Sequence, residues 1–364
     1  MMRVGVIFGG RSGEHEISLM SAASVIRVID RNKYEVVPIG ITRKGKWLRY
    51  DVDKVDKIED GSWQADAESL LMTHPEKYAF TVLGSGGKSL KDIVDFALPI
   101  IHGPYCEDGK LQGLLETVNI PYAGSGVAGS CIAMDKAFAK EVFVHHGLPV
   151  CPYILIDSHI LRGEHQEVEK RIAALVEDKL KYPVFVKPAN MGSSVGISKV
   201  NDSEDLLAAA RLAAGYDRRI VIEEGVDARE LETAILGNDA PIAGAVGEIM
   251  PSEEFYDYKA KYFDGGESKL SIPADIPKDM EEEIRELAIK AYRALDCYGY
   301  SRVDFLVEKQ TGRIFINEIN TLPGFTNISM FPLLFMEKGM KYDEIIEEII
   351  RLGIEKFMEK DARI

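Results

Sequence analysis

Residues 3–10 read RVGVIFGG, an apolar run that stops in two glycines, and SLMSAASVIRVI after it repeats its apolar residues at helical spacing. The pair predicts a buried strand, a tight turn and a helix packed back on the strand. EVVPIGIT and DFALPIIHG read as further strands, with LQGLLETVN a helix between turns. This β-α-β rhythm predicts an α/β fold with a parallel sheet, whose sites lie beyond the carboxyl ends of its strands. Gly9-Gly10-Arg11-Ser12-Gly13-Glu14 and His102-Gly103 both fall at such ends.

From about Ser125 the pattern changes. MDKAFAKEVFVHH has helical spacing and stops at Gly147, and PVFVKP begins a strand that runs into a turn of glycine and serine. A third region opens near Asp227 with RELETAILG, then the helix EEEIRELAIKAYRAL, the strands SRVDFLVE and RIFINEI, and an amphipathic final helix over DEIIEEIIRLGIEKF. Between them FYDYKAKY, residues 255–262, nearly alternates as a strand does, yet shows no clean face. Phe255 shares a parity with Asp257, Lys259 and Lys261, and Tyr256, Tyr258 and Tyr262 share the other. There is no internal repeat and no low-complexity tract.

Length and charge narrow the picture. A chain of 364 residues is too long for one ordinary core and predicts two or three domains. At 46% hydrophobic and 28% charged it reads as globular, and no run of eighteen apolar residues exists, so no membrane segment is expected. The N-terminus enters a strand without a charged leader, which makes a cytoplasmic location the expectation. A formal charge of −15 argues against nucleic acid as partner, because that binding rests on clustered lysine and arginine. A nucleotide remains open, since a few placed lysines and a metal suffice. Cys106, Cys131, Cys151 and Cys297 have no C-x-x-C spacing, so neither a zinc site nor a disulfide framework is indicated.

Two stretches carry chemistry. KPANMGSSVGISKV sets Lys187 at the end of an apolar strand and then offers a loop with Gly192, Ser193, Ser194 and Gly196, which can aim N–H groups and hydroxyls at phosphate oxygens. It is not a Walker A sequence, and an ordinary hairpin is the alternative. SRVDFLVEKQTGRIFINEINTLPGFTNIS places Asp304 on one strand and Glu318 with Asn320 on another, the last two sharing a face. Three hard oxygen donors of this kind suit Mg²⁺, with Arg302 beside the ion. The alternative is a solvated sheet face, against which Val303, Phe305, Ile316 and Ile319 interleave as core residues.

GGRSGEHEIS, HGPYCEDGKLQGLLE, PYAGSG, MDKAFAK, VKPANMGSSVGI, EEGVDARELE, FYDYKAKY, RVDF and NEINTLPGFTNIS follow one another in an order that resembles the D-alanine:D-alanine ligases of the ATP-grasp superfamily, from Val4 to about Leu334. The resemblance implies a three-domain ATP-grasp architecture, α/β with α+β in part. An N-terminal α/β domain would span 1–125, a central domain 126–226 and a C-terminal catalytic domain 227–364, with a lid loop at about 251–273 and the nucleotide between the last two. It implies the reaction of ATP with two D-alanines through an acyl phosphate, and Mg²⁺ or Mn²⁺, two ions per site. A homodimer through the N-terminal domains is also implied. Asp304, Glu318 and Asn320 correspond to the metal ligands, Lys136 and Lys187 to α- and β-phosphate contacts, and Lys261 to the γ-phosphate contact. Glu223, Gly225 and Val226 would face adenine and Glu230 the ribose.

For the amino acids, Glu14 resembles the group that takes the first ammonium, with His102 near the first carboxylate. Arg302 and the Gly324 N–H would hold the acyl phosphate and the oxyanion. Ser329 and the Met330 N–H would clamp the second carboxylate, and a triad of Glu14, Ser193 and Tyr262 would join the three domains. Cys106 stands where the family usually has glycine, and Phe325 where methionine is frequent. Tyr262 favours dipeptide over D-lactate ester synthesis; D-serine as second substrate stays open. Two rivals from other classes are a nicotinamide-dependent oxidoreductase, for which G-x-G-x-x-G is lacking, and a non-catalytic nucleotide-binding regulator, against which the intact set Lys187, Arg302, Asp304, Glu318 and Asn320 speaks.

Overall fold

The computed structural model describes residues 1–72, 82–83, 90–250 and 269–362. FYDYKAKY, with Lys261 and Tyr262, and the expected lid up to residue 268 lie outside them. Among the described residues no helix is long and apolar enough to cross a membrane.

The first sheet contains β1 (Met2–Gly9), β2 (Tyr34–Ile41), β3 (Trp47–Arg49), β4 (Glu68–Met72), β5 (Val82–Leu83) and β6 (Phe96–Ile100), in the order β5-β4-β3-β2-β1-β6. Only β2-β1-β6 is parallel. Outward from β2 the pairing is antiparallel, a departure from the parallel sheet expected. Its cause is the short connection from β2 to β3 through the turn at Gly45, since a parallel return needs a crossover of a dozen or more residues. Alternation along β1 sends Val4, Val6 and Phe8 to one face, against α1 (His15–Val28) and Trp63. Ile7 goes to the other face, with Val37 and Ile39, where α3 (Lys110–Thr117) covers it; α2 (Val55–Glu59) lies between β3 and β4 in the chain.

The second sheet is antiparallel, β7 (Tyr153–Asp157), β8 (Val184–Pro188), β9 (Ser198–Val200) and β10 (Arg219–Glu224) in the order β7-β10-β8-β9. Val184, Val186, Ile220 and Ile222 point to α6 (His165–Glu177) and α7 (Leu206–Ala214). The opposite parity of β10 holds Val221 and Glu223, and there Val221 packs on Ala137 of α5 (Lys136–His145), which follows α4 (Val127–Met134). Asp135 caps α5, its carboxylate accepting from the Ala137 and Phe138 N–H groups at 3.1 Å.

The third sheet, β11 (Ala228–Leu236), β12 (Ile242–Met250), β13 (Lys269–Ser271), β14 (Tyr300–Glu308) and β15 (Ile314–Asn320), runs antiparallel in the order β13-β12-β11-β14-β15. Leu231, Ile235, Val303, Phe305, Ile316 and Ile319 bury its back against α8 (Lys278–Ala294). Beyond it α9 (Met330–Met336) and α10 (Tyr342–Asp361) return to the first sheet. Phe331, Phe335, Ile345 and Ile349 share one core with Val4 and Phe8, so the chain's end seals its beginning.

Trp63 leaves no room at Gly40, where an added Cβ would lie 2.1 Å from the indole. Gly40→Ala is therefore expected to cost at least the ~1–3 kcal/mol typical of overpacking, read as a lower denaturant midpoint with an unchanged m-value.

Candidate active site

A cleft of about 900 Å³ lies between the second and third sheets. On its central wall strand parity decides which groups face inward. Lys187 is the cross-strand partner of Val221, and Phe185 of Glu223, so all four share the face under α5. Lys136 and Lys140, four apart on α5, share one side of that helix. The Glu223 carboxylate therefore meets two ammonium groups, Lys140 at 2.8 Å and Lys187 at 2.7 Å. Burial alone would raise the Glu223 carboxyl, but Lys140 and Lys187 outweigh it and hold the group at about 2. Burial works to lower the Lys187 ammonium, and Glu223 reverses this, leaving it above its ordinary value.

Lys136 reaches across the cleft, donating to the Met191 carbonyl at 2.9 Å and lying 3.2 Å from Glu318. The loop after β8 turns at Ser193 and Ser194, with φ of 51° and 58°. Left-handed backbone at non-glycine residues costs on the order of 1–3 kcal/mol each and concentrates where a loop holds a ligand.

On the opposite wall Arg302↔Asn320 and Asp304↔Glu318 are cross-strand pairs, so the four side chains share one face. The register slips at Asn317, a bulge, and that slip is what brings Glu318 opposite Asp304. Arg302 donates to both Asp304 oxygens, at 2.7 and 2.6 Å, and the Asn320 amide donates to Asp304 at 3.0 Å. A further carboxylate, Glu232 of β11, lies 2.9 Å from Arg302 Nε. Asp304, Glu318 and Asn320 are hard oxygen donors beside a cleft large enough for a nucleotide, a set that fits Mg²⁺ or Mn²⁺. The cations that now balance the two carboxylates, Arg302 and Lys136, lie at the same edge.

A second polar cluster, where the resemblance leads one to expect the amino-acid subsites, is built beyond β1 and β6. Glu14 lies in the turn after β1, and its Oε2 sits against both Gly103 and Gly192, 2.7 and 3.6 Å from where a Cβ would stand on each. Its neighbour His102 donates from Nδ1 to the Leu322 carbonyl at 2.7 Å; a carbonyl only accepts, so this nitrogen carries the proton. Burial, with Arg302 adding to it, lowers the His102 imidazole despite Glu14, which keeps the ring neutral. Glu107 accepts from the Gly103 N–H at 2.7 Å and the Leu322 N–H at 3.1 Å. Burial and the nearby Glu14 carboxylate push Glu107 up to about 8, against the pull of those donors. Ser21 accepts from the Phe325 N–H at 3.2 Å. Gly324 backs onto the Ser329 hydroxyl, which bonds Thr326 at 2.7 Å, and Met330 is buried in the core behind it.

Two family models cover this chain, "D-ala D-ala ligase N-terminus" over residues 3–125 and "D-ala D-ala ligase C-terminus" over 142–351. The chain belongs to the D-Ala D-Ala ligase family. The D-alanine–D-alanine ligase of Thermoanaerobacter sp. strain X514 is 48% identical over 358 residues, 98% of each chain. That of Acetivibrio thermocellus is 45% identical, over 98% of this chain and 96% of its own. Among solved structures, the VanG D-Ala:D-Ser ligase from Enterococcus faecalis has a TM-score of 0.83 at 35% identity, covering 97% and 99% of the two chains. The D-alanine–D-alanine ligase from Coxiella burnetii has 0.82 at 30%, covering 99% and 96%.

Of the residues expected from the resemblance to this ligase family, Lys136, Lys187, Glu223, Gly225, Val226, Glu230, Ser193 and Glu318 line the cleft. Arg302, Asp304 and Asn320 join Glu318 on one sheet face; Glu14 lies against Gly103, His102 is bonded to the Leu322 carbonyl, and Gly324 lies against Ser329. Lys261 and Tyr262 lie outside the described residues. Glu223 reaches the cleft with both carboxylate oxygens engaged by lysines, and the Gly225 N–H is bonded to Pro183 O at 2.8 Å. Sequence reading assigned no role to Lys140, Glu107, Ser21 and Glu232. The first had a usable signal, its i, i+4 spacing from Lys136; the others act through contacts between distant segments.

Lys140→Met tests the buried pair. Leaving Glu223 with one partner is expected to lower stability near pH 7 by about 3–5 kcal/mol. In the parent, Glu223 lies below its ordinary 4.5, so it contributes stability above that pH that is lost as pH falls through about 2. The variant should lose less stability than the parent over that acid window, measured by denaturant titration at stepped pH.

Proposed function

We propose that this chain is an ATP-dependent ligase that joins two D-alanine molecules into D-alanyl-D-alanine, releasing ADP and phosphate for peptidoglycan precursors. The observation that carries this reading is one sheet face bearing Arg302, Asp304, Glu318 and Asn320 across a nucleotide-sized cleft from Lys136 and Lys187.

A carboxylate is a poor electrophile, so the first D-alanine must become an acyl phosphate before the second amine attacks. Lys136 and Lys187 spread the charge of the α- and β-phosphates, with Lys261 at the γ-phosphate. Gly225 and Val226 supply the adenine wall beside Glu223, and Glu230 meets the ribose. Asp304, Glu318 and Asn320 would hold a divalent metal, which would supply charge neutralisation at the phosphate oxygens. Arg302 and the Gly324 N–H carry the negative charge that develops on the acyl phosphate and the tetrahedral oxygen.

Glu14 takes the ammonium of the first D-alanine. His102, neutral and tied to Leu322, sits beside that residue's carboxylate and fixes the wall rather than offering charge. Ser329 and the Met330 N–H orient the second carboxylate, and Ser193 with Tyr262 couples the first subsite to closure over ATP.

Phosphate release from Mg·ATP should depend on D-alanine and exceed that with D-serine or D-lactate as acceptor. Turnover without D-alanine, or a clear preference for another acceptor, would overturn the reading. Arg302→Ala is expected to cut kcat by roughly 10²–10³-fold with ATP binding still measurable. Tyr262→Phe should weaken the preference for D-alanine over D-lactate, read as the ratio of the two kcat/KM values.

A further inference from the structure

Glu232 has no place in the mechanism above, yet it is a buried carboxylate, 5% exposed, aimed at the reacting face. It stands directly opposite Asp304 across β11 and β14, while Ala234 stands opposite Arg302 and Gly247 of β12 opposite Glu232. Both small residues lie under α9, Gly247 against Met330 and Leu334 and Ala234 within the same core, on the sheet face that also carries Arg302 and Glu232. Arg302 is bracketed, with both Asp304 oxygens on its guanidinium and the Glu232 carboxylate 2.9 Å from Nε.

The bracket poses a conflict of duties. A carboxylate that bridges a guanidinium and a divalent cation shares its charge between them, so each bond weakens the other. If Asp304 were the only anion near Arg302, ion binding would weaken the arginine's anchor just as its position begins to matter.

We propose that Glu232 is a positioning residue that takes over the Arg302 guanidinium when Asp304 turns to the metal, so that ion binding and arginine placement no longer compete. This rests on the reading of Asp304 as a metal ligand. Glu232 touches neither substrate nor metal and acts through Arg302. Its removal should weaken ion binding, because Arg302 then holds Asp304 harder, and slow the chemical step, because Arg302 is left less well placed.

Free Mn²⁺ is measured by electron paramagnetic resonance with the full chain and a non-hydrolysable ATP analogue, alongside steady-state kinetics. Glu232→Gln is expected to weaken Mn²⁺ binding and lower kcat by roughly tenfold each, the scale of one charged hydrogen bond, with KM for ATP within about twofold. In the Arg302→Ala background the same change should leave Mn²⁺ affinity unaltered, since the arginine through which it acts is gone. An equal loss in both backgrounds would mean that Glu232 acts on the ion directly or only on the fold. Full Mn²⁺ affinity and kcat in the single variant would also overturn the proposal. Should Glu232→Gln not fold, Glu232→Asp, which withdraws the charge by one methylene, is read by the same cycle. Asp304→Ala separates the two levels: unchanged Mn²⁺ affinity there defeats the metal assignment itself, whatever Glu232 does.

Discussion

Leu322 sits where three segments of the chain must agree. Its carbonyl takes the His102 proton and its N–H donates to Glu107, while three residues on the Phe325 N–H donates to Ser21. The partners come from the loop after β6 and from α1, and the strap they hold follows directly from β15. The Leu322 carbonyl and N–H and the Phe325 N–H are bonded across to these partners, so neither segment can shift without leaving polar atoms unpaired in a dry interior. The clasp ties the strap that carries Gly324 to the loop of His102, which stands 220 positions before Leu322 in sequence.

Charge is arranged around the cleft by the same economy. Glu223 stands between Lys140 and Lys187, Glu318 beside Lys136, and Asp304 beneath Arg302. In a chain with a net charge of −15, acids come easily, and here they serve to keep cations in a partly dry cleft that would otherwise expel or neutralise them. The cations of the cleft are thus oriented in advance, and on the proposed reading little reorganisation is left when a phosphate chain arrives.

Much of this was legible beforehand where local pattern and chemistry coincide. The strand-turn-helix at RVGVIFGG, the helix over MDKAFAK and the pairing of RVDF with NEIN all follow from periodicity, and the structure bears them out. The antiparallel half of the first sheet was not foreseen, because apolar runs look alike whichever way a strand points. Glu107, Ser21 and Glu232 were illegible for a different reason. Their partners are backbone groups and side chains brought near only by tertiary packing, and no spacing in one segment encodes them. A faint signal of the bulge was present, since Ile316 and Ile319 both read as core although three apart, which strict alternation forbids.

That bulge divides β15 into two frames. Before Asn317 it is Phe315 that pairs with Leu306, on the side that carries Asp304; after it, Glu318 and Asn320 take that side and Ile319 turns to the core. Were the same residues paired one for one, without the bulge, the first frame would run on and exchange the two sets, offering isoleucine to the cleft and a carboxylate to the apolar interior. The hard-oxygen face is therefore a matter of counting as much as of composition. The same letters paired one for one would turn those oxygens inward.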